Sequence, residues 1–157
     1  MHAEYATIEE LQEWAARWRR VHPHDFLIGD PDKPYMLRWF VVPRNAFANV
    51  YLHHILRSDD DRALHDHPWA NTSLLIEGSY IEHTPKGQIL RKAGDVVKRP
   101  ADALHRLELI DDKPAVSLFM TGPKTREWGF ECPQGWVHWQ DFTGGDRGGQ
   151  LGKGCGE

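Results

Sequence analysis

The sequence predicts an all-β fold, an antiparallel sandwich or barrel, preceded by one amphipathic helix. Three observations carry this reading: short runs of branched and aromatic residues from Tyr35 onward, turn residues recurring between them, and a single stretch of helical periodicity in front. At 157 residues the chain suits one domain, read as 1–157, able to bury about two-thirds of the surface its unfolded form exposes.

The helix is expected over 7–21. Thr7-Ile8-Glu9-Glu10 reads as a capping box, in which the threonine oxygen accepts from the Glu10 amide and the Glu10 carboxylate reaches back. Ile8, Leu11, Trp14, Ala15 and Trp18 then recur at three- and four-residue spacing, with charged residues elsewhere on the wheel, a stripe that packs against a sheet. His22-Pro23-His24 ends the helix, because the residue before a proline is pushed out of the helical region. These two histidines also form a His-x-His, but they lead into a Pro-rich connector, Asp30-Pro31-Asp32-Lys33-Pro34, with no strand to set both rings on one face.

Strands are expected at 36–42, 50–57, 73–77, 79–83, 88–91, 96–99, 104–109 and 115–121, punctuated by Gly78, Pro85, Gly87, Gly94, Pro100 and Pro114. The barrel is placed at 35–142, with its central part at 50–121. Trp128-Gly129-Phe130 and Trp136-Val137-His138-Trp139 form an aromatic cluster, read as core in preference to a pocket wall. The end, 143–157, is Gly-rich and read as a flexible tail; it lacks the Gly-Lys-Ser/Thr ending and following helix of a phosphate loop.

Composition narrows the function. With 19 basic and 23 acidic side chains the net charge is −4, no footprint for nucleic acid, so a small-molecule partner is expected. The first residues carry no signal-like pattern and no run approaches the roughly 20 apolar residues of a membrane span, so no membrane partner and a cytoplasmic location are expected. Cys132 and Cys155 have no metal-like spacing and are read as ordinary thiols in a reducing compartment.

The chemistry concentrates at His65, His67 and His105. Residues two apart in a strand share a face, so His65 and His67 can converge on one ion while Asp66 points away, and His105 arrives from a later strand. Imidazole suits iron, zinc, copper and nickel, and manganese less strongly; three protein ligands leave positions open, as catalytic sites do. Continuing the alternation from His67 puts Trp69 and Asn71 on the inner face.

These residues resemble the cupin superfamily. His65, His67, Asn71 and Gly78 fall on the H, H, E and last G of its first motif, G-x5-H-x-H-x3-4-E-x6-G. Gly94, Pro100, Asp102, His105 and Leu109 fall on the G, P, G, H and N of its second, G-x5-P-x-G-x2-H-x3-N. Asp59 stands where the first motif opens with glycine, and Asn71 replaces its metal-binding glutamate. The resemblance implies a cupin-type barrel or jelly roll, a commonly dimeric assembly, and a three-histidine set similar to that of thiol dioxygenases, where ferrous iron is the metal.

The expected function is therefore that of a metal-dependent enzyme. Fe(II) is expected on His65, His67 and His105, with zinc, nickel or manganese as substitutes, and the reaction is oxidation of a small anionic metabolite. Arg57 and Arg99, at strand ends, are candidates to clamp its carboxylate. Tyr51, Trp69 and Asn71 complete the substrate-binding candidates, and Tyr80 and Glu82 are a candidate acid and base. The alternatives are a metal-independent isomerase or epimerase of a sugar derivative, and a non-catalytic small-ligand binder.

Overall fold

A computed structural model describes residues 5–60, 62–145 and 151–156. Helix α1 spans Ile8–Val21 and is capped as its sequence dictates: Glu10 N donates to Thr7 Oγ1 at 3.2 Å, and Thr7 N to Glu10 Oε2 at 2.7 Å. Twelve strands follow among the described residues. They are β1 (Phe26–Asp30), β2 (Lys33–Phe40), β3 (Asn49–Ile55), β4 (Leu64–His65), β5 (Asn71–Glu77), β6 (Ser79–Thr84), β7 (Gly87–Lys92), β8 (Val96–Arg99), β9 (Arg106–Leu109), β10 (Ala115–Thr121), β11 (Gly129–Cys132) and β12 (Gly135–His138). A short helix, α2 (Trp139–Thr143), comes after β12.

All ladders between these strands are antiparallel. Six strands form one sheet in the order β1-β2-β3-β10-β5-β8, and two three-stranded sheets, β12-β11-β4 and β7-β6-β9, complete the barrel. A bridge between His65 and His105 joins the two small sheets. The six-stranded sheet has two dry faces, and period-two alternation sorts its residues between them. Trp39, Leu52, Ile76 and Val116 point outward and pack under Leu11, Trp14, Ala15 and Trp18 of α1. Met36, Ile55 and Leu75 point inward, to the core inside the barrel.

Several expectations change. The barrel begins at Phe26, before the expected boundary at 35, because the Pro-rich connector is the turn of a β1–β2 hairpin in which Phe26 pairs with Arg38. Among the described residues neither histidine of His22-Pro23-His24 joins a metal group: His22 lies against Trp18, 4.3 Å between ring centroids, and His24 edges onto Trp39.

The expected strand at 104–109 pairs as a ladder only from Arg106, with His105 held in the isolated bridge. Gly78, the glycine that closes the first motif, turns the chain from β5 into β6 at φ +81°, where a Cβ would meet Pro114 O at 2.8 Å.

The tail and the cysteines are corrected together. Residues 146–150 lie outside the described residues, but 151–156 return to the barrel and are tied down. Cys155 forms a disulfide with Cys132. Gln134 Nε2 donates to Cys155 O at 2.7 Å, Gly154 N to Phe142 O at 3.0 Å, and an Arg62 terminal nitrogen to Gly152 O at 2.9 Å. A bridge closing a 23-residue separation is invisible to a rule based on cysteine spacing. With the thiols paired, the argument for a reducing compartment loses its basis. No helix among the described residues is long and apolar enough to cross a membrane.

The helix–sheet layer predicts its own test. Leu52 is fully buried between α1 and the sheet, so Leu52→Ala is expected to lower unfolding free energy by about 2–5 kcal/mol, measured by denaturant titration.

Candidate metal centre

Main-chain bonds bring the three histidines together before their side chains contribute anything. His65 ends β4, and it exchanges two bonds with His105, each amide donating to the other's carbonyl at 2.9 Å. His67 N donates to Ala101 O at 3.0 Å, which docks the segment after β4 onto the turn before His105. Between them Asp66 points the other way, as alternation requires, and is buried as a latch. Its carboxylate accepts from Gly129 N at 2.8 Å and Trp136 Nε1 at 3.0 Å, and pairs with Arg126. Gly129 must lack a side chain there, since a Cβ would lie 2.1 Å from Val137 O.

The rings form a near-equilateral triangle, with centroid separations of 5.2, 4.9 and 5.0 Å. One ligand nitrogen from each lies within 4.8 Å of the others. Glu82 orients His105. Its Oε1 lies 2.8 Å from His105 Nδ1. Burial by itself would raise the Glu82 pKa. The hydrogen bond from His105, the charge of Arg99 and the hydrogen bond from Arg91 outweigh it and hold the carboxyl at about 2. An ionised carboxylate only accepts, so Nδ1 must carry the proton and the Nε2 lone pair is left for an ion.

Burial pushes His65 down to about 4, with Asp59 opposing and His105 reinforcing the shift, and drives His67 well below its usual range. Neutral imidazole is the ligating form. His67 Nδ1 is buried with no hydrogen-bond partner, a polar atom that an ion or its bound water would satisfy. Three imidazoles, one with a buried unpartnered nitrogen and one oriented by a carboxylate, fit a divalent transition metal.

His65 and His67 line a cavity of about 340 Å³. Trp69, Trp128, Phe130 and Trp139 wall it, with Trp69 stacked 5.6 Å from His67. Its polar lining includes Tyr35, Arg38, Arg57 and Asp59. Of the substrate-binding candidates, Trp69 and Arg57 reach this cavity; Asn71, Arg99 and Tyr51 are not part of its lining.

Arg99 is not at the mouth. It is 7 % exposed and bound to Glu82 and Ser73. Tyr51 is covered by Arg38, whose Cζ sits 4.5 Å from the ring centroid. Asn71 is on the inner face, as expected, with its Oδ1 buried and unpartnered. Glu82, held near pKa 2 by three partners, is unsuited to acid–base work; Tyr80 is buried in the core. The aromatic cluster at 128–139 is both core around Phe142 and cavity wall.

Sequence reasoning missed Arg38, Tyr35 and Asp59. Only Asp59 had a signal, its departure from the first motif's glycine. In the structure its Oδ2 accepts from Leu107 N at 2.7 Å and stands 4.0 Å from His65 Nδ1.

Solved structures share this architecture. A cupin-2 domain protein from Rhodospirillum rubrum matches with a TM-score of 0.59 at 12% identity, over 86% of this chain and 84% of that one. The DMSP lyase DddQ of Ruegeria pomeroyi matches with a TM-score of 0.54 at 12% identity, over 76% of this chain and 65% of that one. A cupin-superfamily sugar phosphate isomerase from Silicibacter pomeroyi matches with a TM-score of 0.50 at 15% identity, over 66% and 74%. No family model and no curated protein sequence matches the chain.

Two outcomes follow from the geometry. Glu82→Gln, which keeps shape and removes charge, is expected to weaken metal binding roughly 10–100-fold in a chelator competition titration. The metal-free protein should lose stability as pH falls from 6.5 towards 4. In that window the unfolded chain protonates His65 and the folded chain, with its pKa of about 4, does not. Urea midpoints measured across that range check the sign.

Proposed function

Given a cupin fold, we propose that this chain is a metal-dependent enzyme acting on a small anionic molecule with an apolar body, with ferrous iron on His65, His67 and His105 and oxidation as its reaction. The observation that carries the reading is the cluster of three histidines, two of them lining an aromatic-walled cavity. When bound, such an ion supplies open coordination positions and Lewis acidity.

The residues around it supply the rest. Trp69, stacked on His67, holds that ring in place and presents an apolar surface to the substrate. Trp128 and Trp139, stacked 5.7 Å apart, add apolar wall next to His65. Tyr35 is pushed well above the usual phenol range by burial and by the charge and hydrogen bond of Asp59, so it stays protonated at neutral pH and can orient a substrate oxygen. Zinc, nickel and manganese suit the same three nitrogens, and Asn71 leaves the set without the charge that a glutamate would add.

The Tyr35–Asp59 pair favours one second reading, a lyase or isomerase in which acid–base groups act without an oxidant. Two of the proteins of similar fold, the DMSP lyase and the sugar phosphate isomerase, have activities of that kind by name.

The test is reconstitution with iron, zinc, nickel and manganese, followed by elemental analysis and oxygen-electrode assays on a panel of small carboxylates and thiols. One equivalent of metal is expected in the wild type, and less than a tenth of that in His65→Ala, His67→Ala or His105→Ala, since each removes one of few ligands. Turnover that proceeds without oxygen would select the second reading. Absence of stoichiometric metal under every condition would sink the proposal.

A further inference from the structure

We propose that Arg38 is the anion anchor of this cavity, taking the carboxylate of a substrate whose apolar body lies against the aromatic wall. The inference rests on the enzyme reading above and names the substrate class of that site.

Arg38 sits in the middle of β2, opposite His53 of β3, with its side chain on the inner face. One edge of its guanidinium is fixed. Nε donates to His53 Nε2 at 2.9 Å, and the Tyr51 ring covers the plane at 4.5 Å. Tyr51 lies parallel to His53, and His53 stacks at 5.0 Å on Phe119. The two terminal nitrogens have no hydrogen-bond partner among the described residues. Arg38 is one of the residues lining the cavity beside His65 and His67.

Four other enclosed arginines face a carboxylate: Arg91 and Arg99 face Glu82, Arg62 faces Asp60, and Arg126 faces Asp66. Arg38 faces none. Enclosure, with Arg44 adding to it, lowers its pKa to about 10, so the group is still a cation at neutral pH. A desolvated cation without a counter-charge is unfavourable, and an anion arriving in the cavity relieves it. The cavity's own carboxylates are engaged elsewhere, Asp60 with Arg62 and Asp59 with Leu107 N.

With Nε occupied, the free end of the guanidinium is a two-pronged donor matched to a planar carboxylate. The single positive charge of Arg38 matches the single negative charge of a carboxylate. Phe119 lies against His53 and also against His67 and Trp69, so two rings, His53 and Phe119, connect the anchor to the metal-binding group. Phe26, Ile28, Met36 and Trp139 line the same cavity and suit the apolar body.

Calorimetric titration of metal-loaded protein with 3-phenylpropanoate, its uncharged amide and phenyl phosphate tests this. The acid is expected to bind at least about tenfold more tightly than the amide and than phenyl phosphate, the size of one charge-assisted contact. Arg38→Met should lose about tenfold or more for the acid, with metal content and circular dichroism unchanged. Arg38→Lys, which keeps the charge and loses the fork, should fall between them. Equal binding of acid and amide, failure of the acid to bind, or an Arg38→Met that binds the acid like wild type overturns the proposal. Tighter binding of phenyl phosphate overturns its choice of carboxylate. If the wild type holds no metal, the enzyme reading falls separately, and the same comparisons on metal-free protein still decide the role of Arg38.

Discussion

One buried carboxylate organises this barrel. Glu82, on β6, is 1 % exposed and receives Arg91 from β7, Arg99 from β8 and His105 from the bridge before β9. An anion in that position is tolerable only because each oxygen is paired, and removing a partner would leave a charge with no solvent to screen it. Four segments are therefore held in one arrangement by one side chain. The same contact decides which nitrogen of His105 is free, so a structural ion network and the metal-binding group share a member.

The cavity beside that network has two chemical characters. On one side stand neutral imidazoles, kept neutral by burial. On the other is an apolar wall built late in the chain, where Phe130 and Phe142 stack at 3.7 Å and Trp128 lies flat on Trp139. The wall is held from behind by the Cys132–Cys155 disulfide and by the returning segment 151–156. Arg38 reaches the cavity from β2, as Tyr35 does. A metal-binding group, a fixed cation and aromatic surfaces together describe a site for a molecule with one charged end.

Much of this was legible beforehand, and the legible parts share a property. The Thr7–Glu10 cap and the stripe of Leu11, Trp14, Ala15 and Trp18 depend on residues a few positions apart, and both appear as expected. The pairing of His65 and His67 with His105 was readable because motif spacing stands in for a long-range contact. Where no motif did so, inference failed. Arg99 looks like a strand-end charge until β6 supplies Glu82, 17 positions away. Cys132 and Cys155 look like separate thiols until the tail folds back.

The sequence by itself determined the class of the fold, the helix and its cap, the approximate strands, and the three histidines that gather. Hydrophobic period, turn residues and local hydrogen bonding operate within a few residues, and each such choice is visible in order along the chain. The tertiary structure alone decided the first hairpin's place in the sheet, the disulfide, and which arginines meet a carboxylate. Those outcomes depend on which charges and rings are brought side by side when solvent is excluded. Arg38 and Arg99 carry the same guanidinium on similar strands; only the presence of Glu82 beside one and its absence beside the other makes the first a candidate anchor and the second a structural tie.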